Sequence, residues 1–344
     1  MNGDDFQKAV SHSYPHTLTI LCTYKCTAAC EQCCFESSPM IKGRLSLNVI
    51  KKRINEAHSN FQALKLVVFS GGEAFLLKDD LFAAVNYATS LGLMTRIVTN
   101  AYWGRNTQKA LDTAHRLKNS GISEINISTG ADHEKWVPIS SVIHAARALT
   151  SKKIRTVITV EAETERSRCF DRLIDSEDIK YSITSGFLSI QRNSWMKFNE
   201  KGQDRINLPD VDALRKGCDQ IFSSIVVTPH DNISACCGLT LEHIPEMRIG
   251  STKDSLNDAY SSSYQDFLKF WIHLDGPYRI IERLNLDNKD LLKNVNHICE
   301  ACIRMHQNSD VKDKLMNDYQ DFLPEIMARF SLKSSLLKRN ATGS

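Results

Sequence analysis

Cys26-Thr27-Ala28-Ala29-Cys30-Glu31-Gln32-Cys33 follows directly on Thr17-Leu18-Thr19-Ile20-Leu21-Cys22. The earlier run is β-branched and apolar and reads as a strand, Thr17–Cys22, which puts the three cysteines on the loop at its carboxyl end. Barrels of alternating strands and helices keep their active sites at that end. Three thiolates on a four-iron cluster leave one iron without a protein ligand, and an open coordination position is what separates a catalytic metal from a closed structural one. A zinc site with spare thiols is the plainer alternative, but zinc favours paired Cys-x2-Cys units closed by four ligands.

Outward from this loop the chain alternates. Lys65–Ser70, Thr95–Asn100, Ser123–Thr129, Arg155–Val160 and Tyr181–Ser189 read as further strands, and Asn48–Asn60, Asp80–Leu91, Asn106–Lys118, Ser140–Ser151 and Glu165–Ile174 carry apolar residues at helical spacing. About six βα units make a parallel sheet with helices on its outer face, an α/β partial (β/α)6 TIM-like barrel rather than a full eight-unit one. After Gln191 the rhythm breaks. A hairpin is expected at Ile225–Thr228 and Ile233–Cys236, across the turn-rich Pro229-His230-Asp231-Asn232. Leu315, Tyr319, Phe322, Ile326 and Phe330 predict a docking helix near the end, with Pro324 starting, kinking or interrupting it. The expected divisions are an arm over 1–16, the barrel over 17–200, a second domain over 201–310 and a helix and tail over 311–344.

Over 344 residues, 43 Lys and Arg balance 40 Asp and Glu. The charge names no partner: there is no basic footprint for nucleic acid and none for a membrane surface. No apolar run of about 18 residues and no signal-peptide layout is present, so a soluble, cytoplasmic protein is expected. Eleven cysteines are many for that compartment, where metal ligation or redox chemistry is a better use of thiols than disulfides. Cys22, Cys26, Cys30, Cys33 and Cys34 crowd together, Cys218, Cys236, Cys237, Cys299 and Cys302 fall in the last third, and Cys169 stands alone. Two metal centres is the simplest account.

The Cys-x3-Cys-x2-Cys spacing of Cys26, Cys30 and Cys33 resembles the radical S-adenosylmethionine (SAM) superfamily. There the open iron of a [4Fe-4S] cluster chelates the amino and carboxylate groups of SAM and cleaves it to a 5′-deoxyadenosyl radical. Ser70-Gly71-Gly72-Glu73 looks like the family's GGE motif, which implies that backbone carbonyls and the Glu73 carboxylate meet the SAM ammonium. Asn100 and Ser128, at the ends of the third and fourth strands, are similar to family positions that contact the ribose and carboxylate of SAM. Asp132, His133 and Glu161 are weaker candidates to face the cavity. Gln32 departs from the pattern, which usually has an aromatic or aliphatic residue packing on adenine.

Cys218, Cys236, Cys299 and Cys302 resemble the ligands of a SPASM/twitch extension, and five cysteines after residue 200 suit the single-cluster twitch type. The resemblance thus implies a small C-terminal twitch-type domain and two [4Fe-4S] clusters, one cleaving SAM and one auxiliary. The pair Cys236-Cys237 is similar to that of radical SAM peptide epimerases. Neighbouring side chains on an extended segment face opposite sides, which frees Cys237 to return hydrogen to a substrate radical. The implied activity is L-to-D epimerisation of a ribosomally made precursor peptide, supplied with electrons by a reductant protein such as flavodoxin or ferredoxin. Two alternatives stand beside it: oxidative thioether or carbon–carbon crosslinking with the auxiliary cluster as electron acceptor, and a non-catalytic zinc-binding protein. The stretch before the first strand is too short for a separate leader-recognition domain, and Lys333, Lys338 and Arg339 at the other end complement a helix dipole.

Overall fold

The computed structural model describes residues 14–161, 168–193, 196, 210–230, 232–236, 241–251, 253–286 and 289–342, with the side chains of 337–342 left out. It divides into two compact units, one from Thr19–Asn55 and Lys65–Asn207 and the other from Met1–Leu18, Glu56–Leu64 and Leu208–Ser344. Among the described residues no helix is long and apolar enough to cross a membrane.

The first unit carries the βα alternation. Its strands are β1 (Thr17–Leu21), β2 (Leu66–Ser70), β3 (Met94–Thr99), β4 (Glu124–Thr129), β5 (Arg155–Glu161) and β6 (Leu188–Asn193), lying side by side in that order. From β2 to β6 every pairing is parallel. The helices are α1 (Leu47–Asn60), α2 (Asp79–Ser90), α3 (Thr107–Ser120), α4 (Ile139–Ser151), α5 (Cys169–Asp175) and α6 (Glu177–Thr184). Local chemistry sets their ends. Asn106 caps α3 by accepting from the Lys109 N–H at 2.9 Å, and Gly121 stops it in the left-handed conformation, φ 82°.

Alternation along the strands sorts the two faces of the sheet. Val67, Phe69, Ile97, Ile125, Ile127, Ile158 and Val160 are wholly buried on one side. Each such side chain removed from water stabilises the fold by about 1.5–3 kcal/mol, which fixes the register, because a slip of one residue would exchange the faces. The other side carries polar residues over β4 to β6. Ser128, Thr159 and Gln191 are neighbours across β4, β5 and β6, and Thr159 Oγ1 donates to Asn126 Oδ1 (3.1 Å) while accepting from Gln191 Nε2 (3.0 Å).

The first five strands and first four helices fall where the sequence places them. The sixth strand does not: Tyr181–Ser189 was expected extended, whereas Glu177–Thr184 is helical and β6 starts at Leu188. Tyr181 and Ile183 are exposed, while Ile179 and Ser182 are buried and Thr150 Oγ1 of α4 donates to Ser182 Oγ at 3.0 Å. Packing on α4 overrides a β-branched local preference. Of the helix expected at Glu165–Ile174, residues 165–167 lie outside the described residues, and α5 begins at Cys169.

In the second unit the expected hairpin is present as β7 (Ser224–Val227) against β8 (Asn232–Ser234), extended by antiparallel β9 (Arg248–Ser251). Four helices follow: α7 (Leu256–Ser262), α8 (Phe267–Arg283), α9 (Ile298–Gln307) and α10 (Ser309–Thr342). The last of these is the expected terminal helix. It is longer than its apolar repeat suggested and carries Pro324 inside.

Candidate active site

The cysteine loop leaves β1 and is stitched to the end of β2. Cys22 N donates to Ser70 O (2.8 Å), Gly72 N to Thr23 O (2.7 Å) and Glu73 N to Lys25 O (2.9 Å). The two backbones touch so closely that only glycine fits. A Cβ on Gly71, where φ is +126°, would lie 2.3 Å from Thr23 O, and one on Gly72 would lie 2.3 Å from Lys25 O. The glycine pair is therefore the seat of the cysteine loop.

Glu73 continues the brace. It is fully buried, and its carboxylate accepts from the N–H of Phe75 (3.1 Å), the N–H of Asn100 (2.9 Å) and the Thr99 hydroxyl (2.9 and 3.0 Å). Burial pushes this carboxyl up to about 7, against the pull of those donors. The carboxylate expected to meet a bound ammonium also joins the end of β2 to the end of β3. Asn100 also turns toward the loop: its Nδ2 donates to Thr27 Oγ1 (3.0 Å) and stands 3.7 Å from Cys26 Sγ, while its Oδ1 accepts from Tyr102 N (3.0 Å). Ser128 lies half-buried on the polar face of β4.

Backbone and amide donors face two of the thiols. Cys26 faces the backbone N–H groups of Ala28 and Thr27 besides the Asn100 amide, and Cys33 Sγ accepts from Ser37 N at 3.4 Å. Burial, then the Glu73 carboxylate, push Cys26 up to about 12. Burial, then Cys33 and Cys26, raise Cys30, with Glu161 and Asp132 adding to the shift. Donors aimed at sulfur favour a thiolate, whereas burial keeps the bare Cys26 and Cys30 thiols protonated, and a metal bound there would release those protons. A cavity of about 270 Å³ opens on this loop, walled by residues 29–31, 33 and 36–38.

Glu161, Asp132 and His133 gather beside Cys30. Glu161 Oε1 accepts from Asp132 N at 2.5 Å, and its Oε2 lies 3.5 Å from His133 Nδ1. Gly130 makes the room, since a Cβ there would fall 1.9 Å from Glu161 Cγ. Lys135 reaches Glu31 of the cysteine loop at 3.3 Å and Asp132 at 3.3 Å.

Residues 20–162 match the model of the Radical SAM superfamily. This stretch is a radical SAM domain. The chain is similar to a Bacillus subtilis (strain 168) protein described as putative peptide biosynthesis protein YydG, 23% identical over 313 residues, with 84% of this chain and 91% of that one covered. Its fold is shared by Streptococcus suis SuiB, solved with its precursor peptide SuiA (TM-score 0.57, 15% identity, 90% of this chain and 75% of that one). It is shared also by anSMEcpe with bound AdoMet (TM-score 0.54, 13% identity, 92% and 99%). Cys26, Cys30 and Cys33 lie within this stretch and are the residues that could hold a four-iron cluster there. Among the described residues no three His, Cys, Asp or Glu side chains are gathered to hold a single metal ion, a geometry tighter than the corners of a cluster.

The second unit brings the other thiols together. Cys302 is raised by burial first, then by Cys236, Cys299 and Cys218, so all four lie within electrostatic reach. Cys299 and Cys302 share one face of α9, which His297 caps by accepting from Cys299 N at 3.1 Å. The Cys218 thiol is raised by burial and opposed by the N–H groups of Ile221 and Gln220. His306 was not foreseen: its Nδ1 lies 2.8 Å from Cys302 O and 3.7 Å from Cys302 Sγ. Its place one turn beyond Cys302 was the only signal. Cys237 lies outside the described residues, as do the side chains of Lys338 and Arg339.

Proposed function

We propose that the chain is a radical SAM enzyme that modifies a ribosomally made peptide, with Cys26, Cys30 and Cys33 holding the SAM-cleaving [4Fe-4S] cluster. The observation that carries this is the three-thiol loop at the carboxyl end of β1, braced by Gly71, Gly72 and Glu73 and faced by backbone and amide donors. When bound, the reduced cluster supplies the electron that cleaves SAM to methionine and a hydrogen-abstracting 5′-deoxyadenosyl radical. The Glu73 carboxylate and the backbone carbonyls of Gly71 and Gly72 would be the acceptors for the SAM ammonium, while Asn100 holds the loop and Ser128 contributes a hydroxyl. Cys218, Cys236, Cys299 and Cys302 form a closed, four-thiolate set for an auxiliary cluster, which suits electron transfer or structure rather than SAM binding.

The peptide assignment draws on the likeness to a protein described in terms of peptide biosynthesis and on the fold shared with a peptide-bound neighbour. Within it we favour L-to-D epimerisation, with Cys237 donating hydrogen to the substrate Cα radical. The donated atom comes from a thiol that exchanges with solvent, and one electron and one proton must then restore that thiol. Anaerobic reaction of the reconstituted enzyme with SAM, reductant and candidate precursor peptides in deuterated water tests this. Epimerisation adds about one mass unit per modified residue and is lost in Cys237→Ala. A peptide lighter by two hydrogens replaces it with crosslinking, and intact SAM with iron-free, zinc-loaded protein overturns the radical assignment.

A further inference from the structure

Helix α8 is broken. Gly276 leaves the helical region at φ 75°, ψ 158°, and Pro277 follows without an N–H, so the carbonyl of His273 loses its partner one turn on. The loop bearing Cys218 occupies the gap, and Cys218 N donates to Ile272 O at 2.9 Å. Here two backbones meet on glycine. A Cβ on Gly217 would lie 2.3 Å from His273 O, and one on Gly276 would lie 2.0 Å from Lys216 O. His273 spans the same loop, its Nδ1–H donating to Ile221 O at 3.1 Å.

Asp275, the residue before the break, is buried and accepts from Trp271 Nε1 (3.0 Å), Arg283 Nη1 (2.7 Å) and Arg329 Nη2 (2.8 Å). Arg329 belongs to α10, as does Glu325, which accepts from Arg329 Nη1 at 3.0 Å and from Arg283 Nη2 at 2.5 Å. Rings seat α10 along α8: Trp271 with Phe322 at 4.4 Å and Phe270 with Phe330 at 4.8 Å between centroids. A buried carboxylate that loses one of its cationic donors is left short of partners, and the backbone beside it must shift.

We propose that α10 is a clasp on the auxiliary site: Arg329, through Asp275, holds the break in α8 open so that Cys218 is presented to the cluster. Arg329, Asp275 and Gly276 are positioning residues. This rests on Cys218 being a ligand of an auxiliary cluster, as proposed above. The clasp ties the terminal helix to the site although α10 carries no ligand itself.

The test compares the reconstituted wild type with Arg329→Met, Arg329→Lys, Gly276→Ala and Cys218→Ser. It reads iron and sulfide per chain, the spectra of the reduced clusters by electron paramagnetic resonance, and thermal unfolding. Arg283 still donates to Asp275 when Arg329 is replaced, and thermal unfolding separates a local effect on the cluster from loss of the fold. The clasp predicts that Arg329→Met loses up to about half of the iron, as Cys218→Ser does, while keeping the SAM-responsive signal, and that Arg329→Lys recovers part of the loss. Arg329→Met with wild-type iron and an unchanged auxiliary signal overturns the clasp. A wild type holding one cluster's iron, indifferent to Cys218→Ser, overturns the ligand assignment and the clasp with it.

Discussion

Glu73 sits where the ends of β2 and β3 meet, and its buried carboxylate accepts from three donors. Its titration has a definite sign. A carboxyl raised from 4.5 to about 7 binds a proton in the folded state that the unfolded chain has already released. Its contribution is therefore complete below pH 4.5 and is lost as pH rises through 7. Glu73→Gln should flatten that stretch of the stability–pH curve, read by chemical denaturation from pH 4.5 to 8. It should also cost about 1–3 kcal/mol, because an amide turns one donor toward another in a dry site. Asn100→Ala removes the side chain that contacts Cys26 and Thr27. The expectation is slower formation of 5′-deoxyadenosine with near-normal iron content; full turnover in this variant would show the contact to be dispensable.

At the level of elements, the cysteine loop depends on an edge-to-edge fit with β2 that no side chain mediates. Gly71→Ala and Gly72→Ala should each displace Thr23 or Lys25 and abolish cluster loading, seen as loss of the visible iron–sulfur absorbance in folded protein. Gly130→Ala acts on a different contact, pushing Glu161 away from the Asp132 N–H, and should weaken SAM binding in equilibrium dialysis while leaving iron in place. The glycine pair was visible in sequence as a motif, but its reason was not: the 2.3 Å approach is a long-range fact between residues nearly fifty positions apart. Strands β1 to β5 were legible because each is a short apolar run flanked by turn residues. The sixth was not, because Tyr181-Ser182-Ile183-Thr184 has strand-like residues whose helical form is decided by burial of Ile179 and Ser182 against α4.

For the whole molecule, two groups of thiols in two compact units predict two independent iron loads. Replacing Cys26, Cys30 and Cys33 together should halve the iron and end SAM cleavage, while replacing Cys299 and Cys302 should halve the iron and leave the SAM-cleaving signal, both read by metal analysis and electron paramagnetic resonance. The grouping of the thiols was legible in sequence, since cysteines announce themselves by spacing. What seats them was hidden: the break at Gly276-Pro277 reads in sequence as an ending, and only the fold shows Cys218 lodged in it. The two-faced sheet has a further consequence for how such a protein can change. Along β4 and β5, Ile125, Ile127, Ile158 and Val160 are committed to the core, whereas Asn126, Ser128 and Thr159 between them line the other face. A saturation library should show tolerance rising and falling with every second position, so that selection for a new substrate can rewrite one set of letters while the other set goes on spelling the same barrel.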